Sequence, residues 1–281
     1  MNAPVWLVCL GSKVREALAE DAADGDVTTA GVVPPALLAS AHMIARSSGV
    51  VAGLPVAQEV FRQVDGSVLF EPVMADGDVI SADQVLARLK GRLGSLLRAE
   101  RTALNFVQQL SGVATLTRRF VDAAGPEAHV LDTRKTVPGL RSLQRYAVRM
   151  GGGVNHRFDL ASGVLVKDNH VVAAGGIREA VRRARRAGLQ LEVEVQSLGE
   201  LKAALAERAD LILLDNMGVE AVAEAVRLTA GRAVLEVSGG VSLENIGAYA
   251  AAGVTRISVG ALTHSAPALD VSMEVVTTWH Q

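Results

Sequence analysis

From about residue 112 onward, short apolar runs alternate with stretches of helical spacing. The runs are His129–Asp132, Val164–Lys167, Leu191–Val195, Leu211–Asp215, Ala233–Val237 and Arg256–Val259. The last four recur at intervals of about 20 residues, the span of one strand and one helix. Val154–Arg157 is a weaker candidate for a seventh strand. No sequence duplication accompanies the spacing, so the period belongs to the structure. Such alternation predicts parallel strands with helices outside them. Pattern alone leaves a barrel and an open doubly wound sheet both standing. Polar residues gathered where the strands end favour the barrel, whose active site lies at that edge.

The first part of the chain has a different texture. Val14, Leu18 and Ala22 stand four apart and predict a helix over residues 10–22. Polar turns follow at 24–26 and 76–78, with β-prone runs at Val68–Phe70 and Val85–Leu89. A longer helix is predicted over 95–110. These elements read as an α+β domain built on a small antiparallel sheet.

Composition narrows the possibilities. Of 281 residues, 49% are hydrophobic but only 3% aromatic, so a large core must be built from Ala, Val, Leu and Ile. A net charge of −2 argues against a nucleic-acid partner. Cys9 is the single cysteine, which excludes an internal disulfide and a cysteine metal site and suits a reducing cytoplasm. The apolar stretch Val5–Leu10 is too short to cross a membrane and lacks the flanks of a signal peptide, so no membrane partner is expected and the mature chain is expected to begin near Met1.

Candidate chemistry lies at the predicted strand ends. Between Asp132 and Asp159 there is no acid, while Arg134, Lys135, Arg141, Arg145, Arg149, His156 and Arg157 all occur. Arg141, Arg145 and Arg149 fall four apart on a helix predicted to begin near Pro138, and the plain expectation for them is a solvated basic face. Arg134, Lys135, His156 and Arg157 stand beside strand ends instead and suit an anion. Arginine in particular can grip a carboxylate through two parallel hydrogen bonds. A lone histidine is more often structural, so His156 adds little by itself. Of the alternating Glu192 and Glu194, Glu194 is nearer the strand end and is preferred as the ligand-facing residue. Asp215 either caps the next helix or reaches a cation. Oxygen ligands of this kind suit Mg²⁺. Ser238, Gly239 and Gly240, and then Ser258 and Gly260, make two strand-to-loop passages whose backbone N–H groups could bind phosphate.

Assembled in order, LLRAERTALNF (96–106), LDTRKTVPGLR (131–141), GGGVNHR (151–157), VKDNH (166–170), LLDNM (213–217), SGGV (238–241) and SVGALTHSAPALD (258–270) resemble the quinolinate phosphoribosyltransferases over nearly the whole chain. The resemblance implies an N-terminal α+β sandwich at 1–111, joined by a returning tail at about 271–281, and an incomplete parallel α/β barrel at 112–270. It implies a homodimer, with higher assembly left open, in which Arg101 reaches the neighbour's barrel. Without the resemblance, Arg101 reads as a helix-surface residue paired with an acid such as Glu100.

The implied reaction joins quinolinate to phosphoribosyl pyrophosphate and releases pyrophosphate and carbon dioxide, giving nicotinate mononucleotide for NAD biosynthesis. Arg101, Arg134, Lys135, His156, Arg157 and Lys167 are implied around quinolinate. Glu194, Asp215, Ser238, Gly239, Gly240, Ser258 and Gly260 are implied around phosphoribosyl pyrophosphate. Lys135, Lys167, Glu194 and Asp215 are implied in catalysis, with Glu194 and Asp215 toward Mg²⁺. Family members often carry an acid where Gln196 stands, and the segment 158–163 is unusual. Rival readings are a Schiff-base lyase using Lys135 or Lys167, a related phosphoribosyltransferase acting on nicotinate, and a non-catalytic metabolite-binding protein.

Overall fold

The computed structural model describes residues 10–280. Cys9 and nearly all of the Val5–Leu10 stretch, and with them the expectations they carried, lie outside the described residues. In chain order the helices are α1 (Leu10–Glu20), α2 (Val27–Val32), α3 (Leu54–Val64), α4 (Leu93–Ala124), α5 (Arg141–Met150), α6 (Asp168–Ala174), α7 (Ile177–Ala184), α8 (Leu198–Ala206), α9 (Val219–Thr229), α10 (Ile246–Ala251) and α11 (Ala261–His264). The strands are β1 (Leu37–Ala45), β2 (Gly49–Val50), β3 (Leu69–Pro72), β4 (Val79–Ile80), β5 (Val85–Arg92), β6 (His129–Leu131), β7 (Val164–Val166), β8 (Leu191–Val195), β9 (Leu211–Asp215), β10 (Val234–Ser238), β11 (Arg256–Ser258) and β12 (Val271–His280). The chain divides into two compact units, one of residues up to 116 with 139–152 and the stretch from 266, the other of 117–138 with 153–265.

The first unit carries an antiparallel sheet in the order β12-β1-β5-β3 and a small β2–β4 pair. Along β1, Ala39, Ala41, Met43 and Ala45 are buried while the residues between them are half-buried, the period of a strand with one face on the core. Sequence reasoning did not single out β1, because LLASAHMIA is rich in alanine, which has little β preference of its own. Its pairing with both β5 and β12 makes it a strand. Helix α4 runs 14 residues past the predicted end at 110. Gly112 does not stop it. A Cβ there would overlap the Pro267 carbonyl, so the glycine permits close backbone approach. Helix α5 also departs from expectation. Arg145 is buried at 7% exposure, so the basic face is not solvated throughout.

The second unit is an all-parallel sheet in the order β6-β11-β10-β9-β8-β7 with helices between successive strands. All six apolar runs became strands within a residue at each end. Val154 contributes a single parallel bridge to Leu131 instead of a full seventh strand. Strand β7 pairs with β8 alone, so the sheet does not close on itself. Along β8, Leu191, Val193 and Val195 lie on one side of the sheet while Glu192 and Glu194 point to the other. Among the described residues no helix is long and apolar enough to cross a membrane.

Candidate active site

A cavity of about 480 Å³ opens at the C-terminal ends of the parallel strands. The pleat supplies its walls, because residues two apart on a strand share a face. Leu165 and Lys167 come from β7 and its end, Glu194 from β8, Leu213 and Asp215 from β9, Glu236 and Ser238 from β10, and Ser258 from β11. Thr133, Arg134 and Lys135 follow β6, and His156 and Arg157 follow the Val154 bridge. Nine of the thirteen residues expected in the site therefore line one cavity. Gly239 and Gly240 continue the turn that leaves Ser238, and Gly260 lies against the side chains of Lys135 and His264. Arg101 stands exposed on α4 in the first unit and is not among the lining residues.

Two sequence-distant motifs meet through Asp132. Its carboxylate, fully buried, accepts from the His156 backbone N–H at 2.9 Å and from Asn155 Nδ2 at 2.5 Å. This fixes the 155–157 turn beside the end of β6. Lys135 is held by its backbone: its N–H donates to Thr133 Oγ1, and its carbonyl accepts from Thr263 Oγ1 at 2.8 Å. At the end of β7 the Lys167 N–H donates to His170 Nδ1 at 2.9 Å.

The cavity is electrically divided. On the cationic side, Arg134 and Arg157 stand close enough for their like charges to matter. Burial, and then the Arg134 guanidinium, push Arg157 below its ordinary value. Crowding of this sort is relieved by an anion, and it marks where one would bind. Arg157 Nη1 also donates to the Gly163 carbonyl at 2.9 Å, which ties the guanidinium to the unusual 158–163 segment.

On the acidic side, Lys167 Nζ lies 2.9 Å from Glu194 Oε2. Asp215 Oδ2 accepts from Asn216 Nδ2 at 2.8 Å and from Gln196 Nε2 at 3.3 Å. The amide of Gln196 thus orients the acid that follows β9. Glu194 and Asp215 are hard oxygen donors that fit Mg²⁺, and two carboxylates leave most of its six positions to water and substrate oxygens.

Sequence reasoning missed the layer beneath. His156 Nε2 lies 3.0 Å from Glu192 Oε2 and 3.3 Å from Glu236 Oε1. Arg256 Nε donates to Glu236 Oε2 at 2.8 Å, and the Ser258 hydroxyl donates to Glu236 Oε1. Burial opposes a charge on His156, whereas the two glutamates favour one. Burial raises Glu192; it is the largest single influence on Glu236 too, but the hydrogen bond and charge of His156, the Ser258 hydroxyl and the Arg256 guanidinium together outweigh it and hold Glu236 low. The three groups gather potential ligand atoms within 4.8 Å. The Arg256 guanidinium on Glu236 and the hydrogen-bond length of the His156 contacts make this a polar cluster that coheres without an ion. Its sequence signal was alternation: Glu192 and Glu194 share a face, as do Glu236 and Ser238, and Arg256 and Ser258.

Comparison with known proteins points one way. The family model described as quinolinate phosphoribosyl transferase, C-terminal domain, matches residues 113–274, and the N-terminal domain model matches 26–111. A Mycobacterium leprae protein named nicotinate-nucleotide pyrophosphorylase [carboxylating] is 46% identical over 93% of this chain and 95% of its own. A Nicotiana glauca protein named quinolinate phosphoribosyltransferase [decarboxylating] 1 is 41% identical over 94% of this chain and 81% of its own. The crystal structure of NadC from Streptococcus pyogenes superposes with a TM-score of 0.93 at 38% identity, covering 100% of this chain and 99% of that one.

Proposed function

The chain belongs to the quinolinate phosphoribosyltransferase family, and on that premise we propose that it transfers phosphoribosyl from phosphoribosyl pyrophosphate to quinolinate, releasing pyrophosphate and carbon dioxide and forming nicotinate mononucleotide for NAD biosynthesis. The observation that carries this reading is the divided cavity. A crowded arginine pair faces carboxylates and glycine turns across one strand-end opening.

The division of labour follows the charges. Arg134 and Arg157, with Lys135 and Lys167, hold the two carboxylates of quinolinate, and His156 belongs to the same wall. Arg101 adds charge from the partner subunit of a homodimer. Glu194 and Asp215 take the ribose hydroxyls and Mg²⁺. Ser238, Gly239, Gly240 and Gly260 surround the sugar phosphate with backbone N–H groups. Ser258 supports that wall from beneath, since its hydroxyl is taken by Glu236. Mg²⁺, when bound, balances the charge on pyrophosphate as it leaves. A cytoplasmic setting suits this metabolism.

The chemistry runs in two steps. The ribose C1–oxygen bond to pyrophosphate breaks, leaving C1 electron-poor, and the carboxylates of Glu194 and Asp215 stabilise that character. Lys135 and Lys167 keep cationic charge at the mouth. Quinolinate nitrogen forms the new bond to C1 and becomes a pyridinium. The bond from C2 to its carboxylate then breaks, carbon dioxide leaves, and the electron pair stays on C2 beside the positive nitrogen until a proton replaces it. Nucleotide formation therefore precedes decarboxylation.

The test incubates the protein with quinolinate, phosphoribosyl pyrophosphate and Mg²⁺, with nicotinate as a parallel substrate. Equal amounts of nicotinate mononucleotide and carbon dioxide from quinolinate are expected. Product from nicotinate alone would assign a sister activity. Carbon dioxide released without phosphoribosyl pyrophosphate would reverse the order of steps.

A further inference from the structure

His156 lies at the cavity, yet the atoms that could touch an anion are already engaged elsewhere. The Arg157 backbone N–H donates to His156 Nδ1 at 2.8 Å. That nitrogen must offer a lone pair, so it carries no proton. The ring's other nitrogen, Nε2, faces two acceptors, Glu192 Oε2 at 3.0 Å and Glu236 Oε1 at 3.3 Å, and must carry one. One proton on Nε2 and none on Nδ1 is a neutral imidazole.

From this geometry we infer that His156 is a positioning residue and not a ligand of the substrate's carboxylates: a neutral, Nε2-protonated ring that fixes Arg157 from one nitrogen and two buried glutamates from the other. The inference rests on the reading of the cavity as a quinolinate site, and it deepens that reading.

The charge balance of the neighbours supports it. Glu236 has its own cation in Arg256 and a second donor in Ser258. It needs from His156 only a hydrogen bond. The two glutamates do favour an imidazolium, and the balance with burial reaches about 9. The Arg157 N–H decides against it, because protonating Nδ1 would set one N–H against another across 2.8 Å and break the bond that orients Arg157. Arg157 is then held at both ends, through its backbone by His156 and through Nη1 by the Gly163 carbonyl. The positive charge met by quinolinate comes from arginine and lysine alone.

The experiment has two arms. Protein labelled with ¹⁵N at histidine is observed by NMR at pH 7, with and without quinolinate. The His156 signal is assigned by its absence from His156→Gln or, should that variant not fold, from His156→Asn. The expected signature is a protonated Nε2 beside an unprotonated Nδ1, unchanged by quinolinate. Two protonated nitrogens would overturn the inference. This arm needs no turnover, so it stands apart from the test of the reaction itself. In the kinetic arm, His156→Gln keeps a neutral N–H donor, and its KM for quinolinate should stay within about threefold of wild type while kcat falls. A KM raised as far as in Arg157→Ala would make His156 a ligand after all and overturn the inference.

Discussion

At the scale of single residues, the two sides of the cavity predict separable losses. Arg134→Ala or Arg157→Ala removes one arm of a carboxylate grip, which costs about 2–5 kcal/mol where the pair is desolvated. The expected result is a KM for quinolinate raised far more than that for phosphoribosyl pyrophosphate, and equal rises would reject the division of labour. The glycines of the 238–240 turn separate in a different way. Gly239 has φ +88°, and a Cβ there would overlap the Asn216 side chain and lie 2.9 Å from its backbone nitrogen. Gly240 has φ +61° but open space around it. Gly240→Ala should therefore cost only the left-handed penalty of about 1–2 kcal/mol. Gly239→Ala must also displace Asn216, which orients Asp215, and should lose phosphoribosyl pyrophosphate affinity as well as thermal stability. Similar melting temperatures and affinities for the two variants would refute this. Much of this was legible beforehand. Arg134, Lys135, Arg157, Glu194 and Asp215 announce themselves as charges beside apolar runs. Glu192, Glu236 and Asp132 did not, because a charge inside or abutting an apolar run reads as part of a strand until its partners are known.

At the scale of elements, the parallel strands were read well because each is short, apolar and bounded by polar loops. Strand β1 was missed because its alanines carry no preference that pairing does not supply, and α4 was cut short because a glycine that allows close packing resembles one that ends a helix. Helix α3 shows a further device outside the reach of local pattern. Asp76, 22 residues beyond its start, accepts from the N–H groups of Gly53 at 2.7 Å and Leu54 at 3.0 Å. Its Oδ2 also accepts from Tyr146 Oη of α5 at 2.8 Å. A carboxylate at a helix start is favourable for the helix dipole. Burial nonetheless raises Asp76 above 3.8, against the pull of these donors, and pushes the Tyr146 phenol up as well. The sign of the pH effect follows. As pH falls, the folded protein takes up the Asp76 proton before the unfolded chain does. Wild type should therefore gain stability relative to Asp76→Asn between the raised value and 3.8. Asp76→Ala, which strands buried donors, should lose about 2–4 kcal/mol at neutral pH. Denaturant melts of the three proteins at pH 4 and 7 check both statements, and a wild-type advantage that shrinks on acidification would refute the linkage.

At the scale of the whole molecule, the question is whether one chain holds a complete site. The cavity of the second unit brings together four cations, Arg134, Lys135, Arg157 and Lys167, with Glu194 and Asp215. Arg101 does not line it, and sequence reasoning placed it there only through a neighbour. The proposed homodimer turns this into arithmetic. Arg101→Ala alone leaves every site without its crossing arginine, and Arg157→Ala alone leaves every site without its own. In a mixed dimer, one site inherits both losses and the other inherits neither, because the chain lacking Arg101 receives an intact Arg101 from its partner and supplies an intact Arg157 itself. Random mixing makes roughly half the dimers mixed, each with one intact site of two, so activity should return to roughly a quarter of wild type. Co-expression with two affinity tags isolates the mixed species, whose specific activity should then approach half. An arginine acting within its own chain would give no intact site in any combination, and the mixed dimer would remain as inactive as either parent. Recovery would assign the missing cation to the second subunit and make assembly a condition of catalysis.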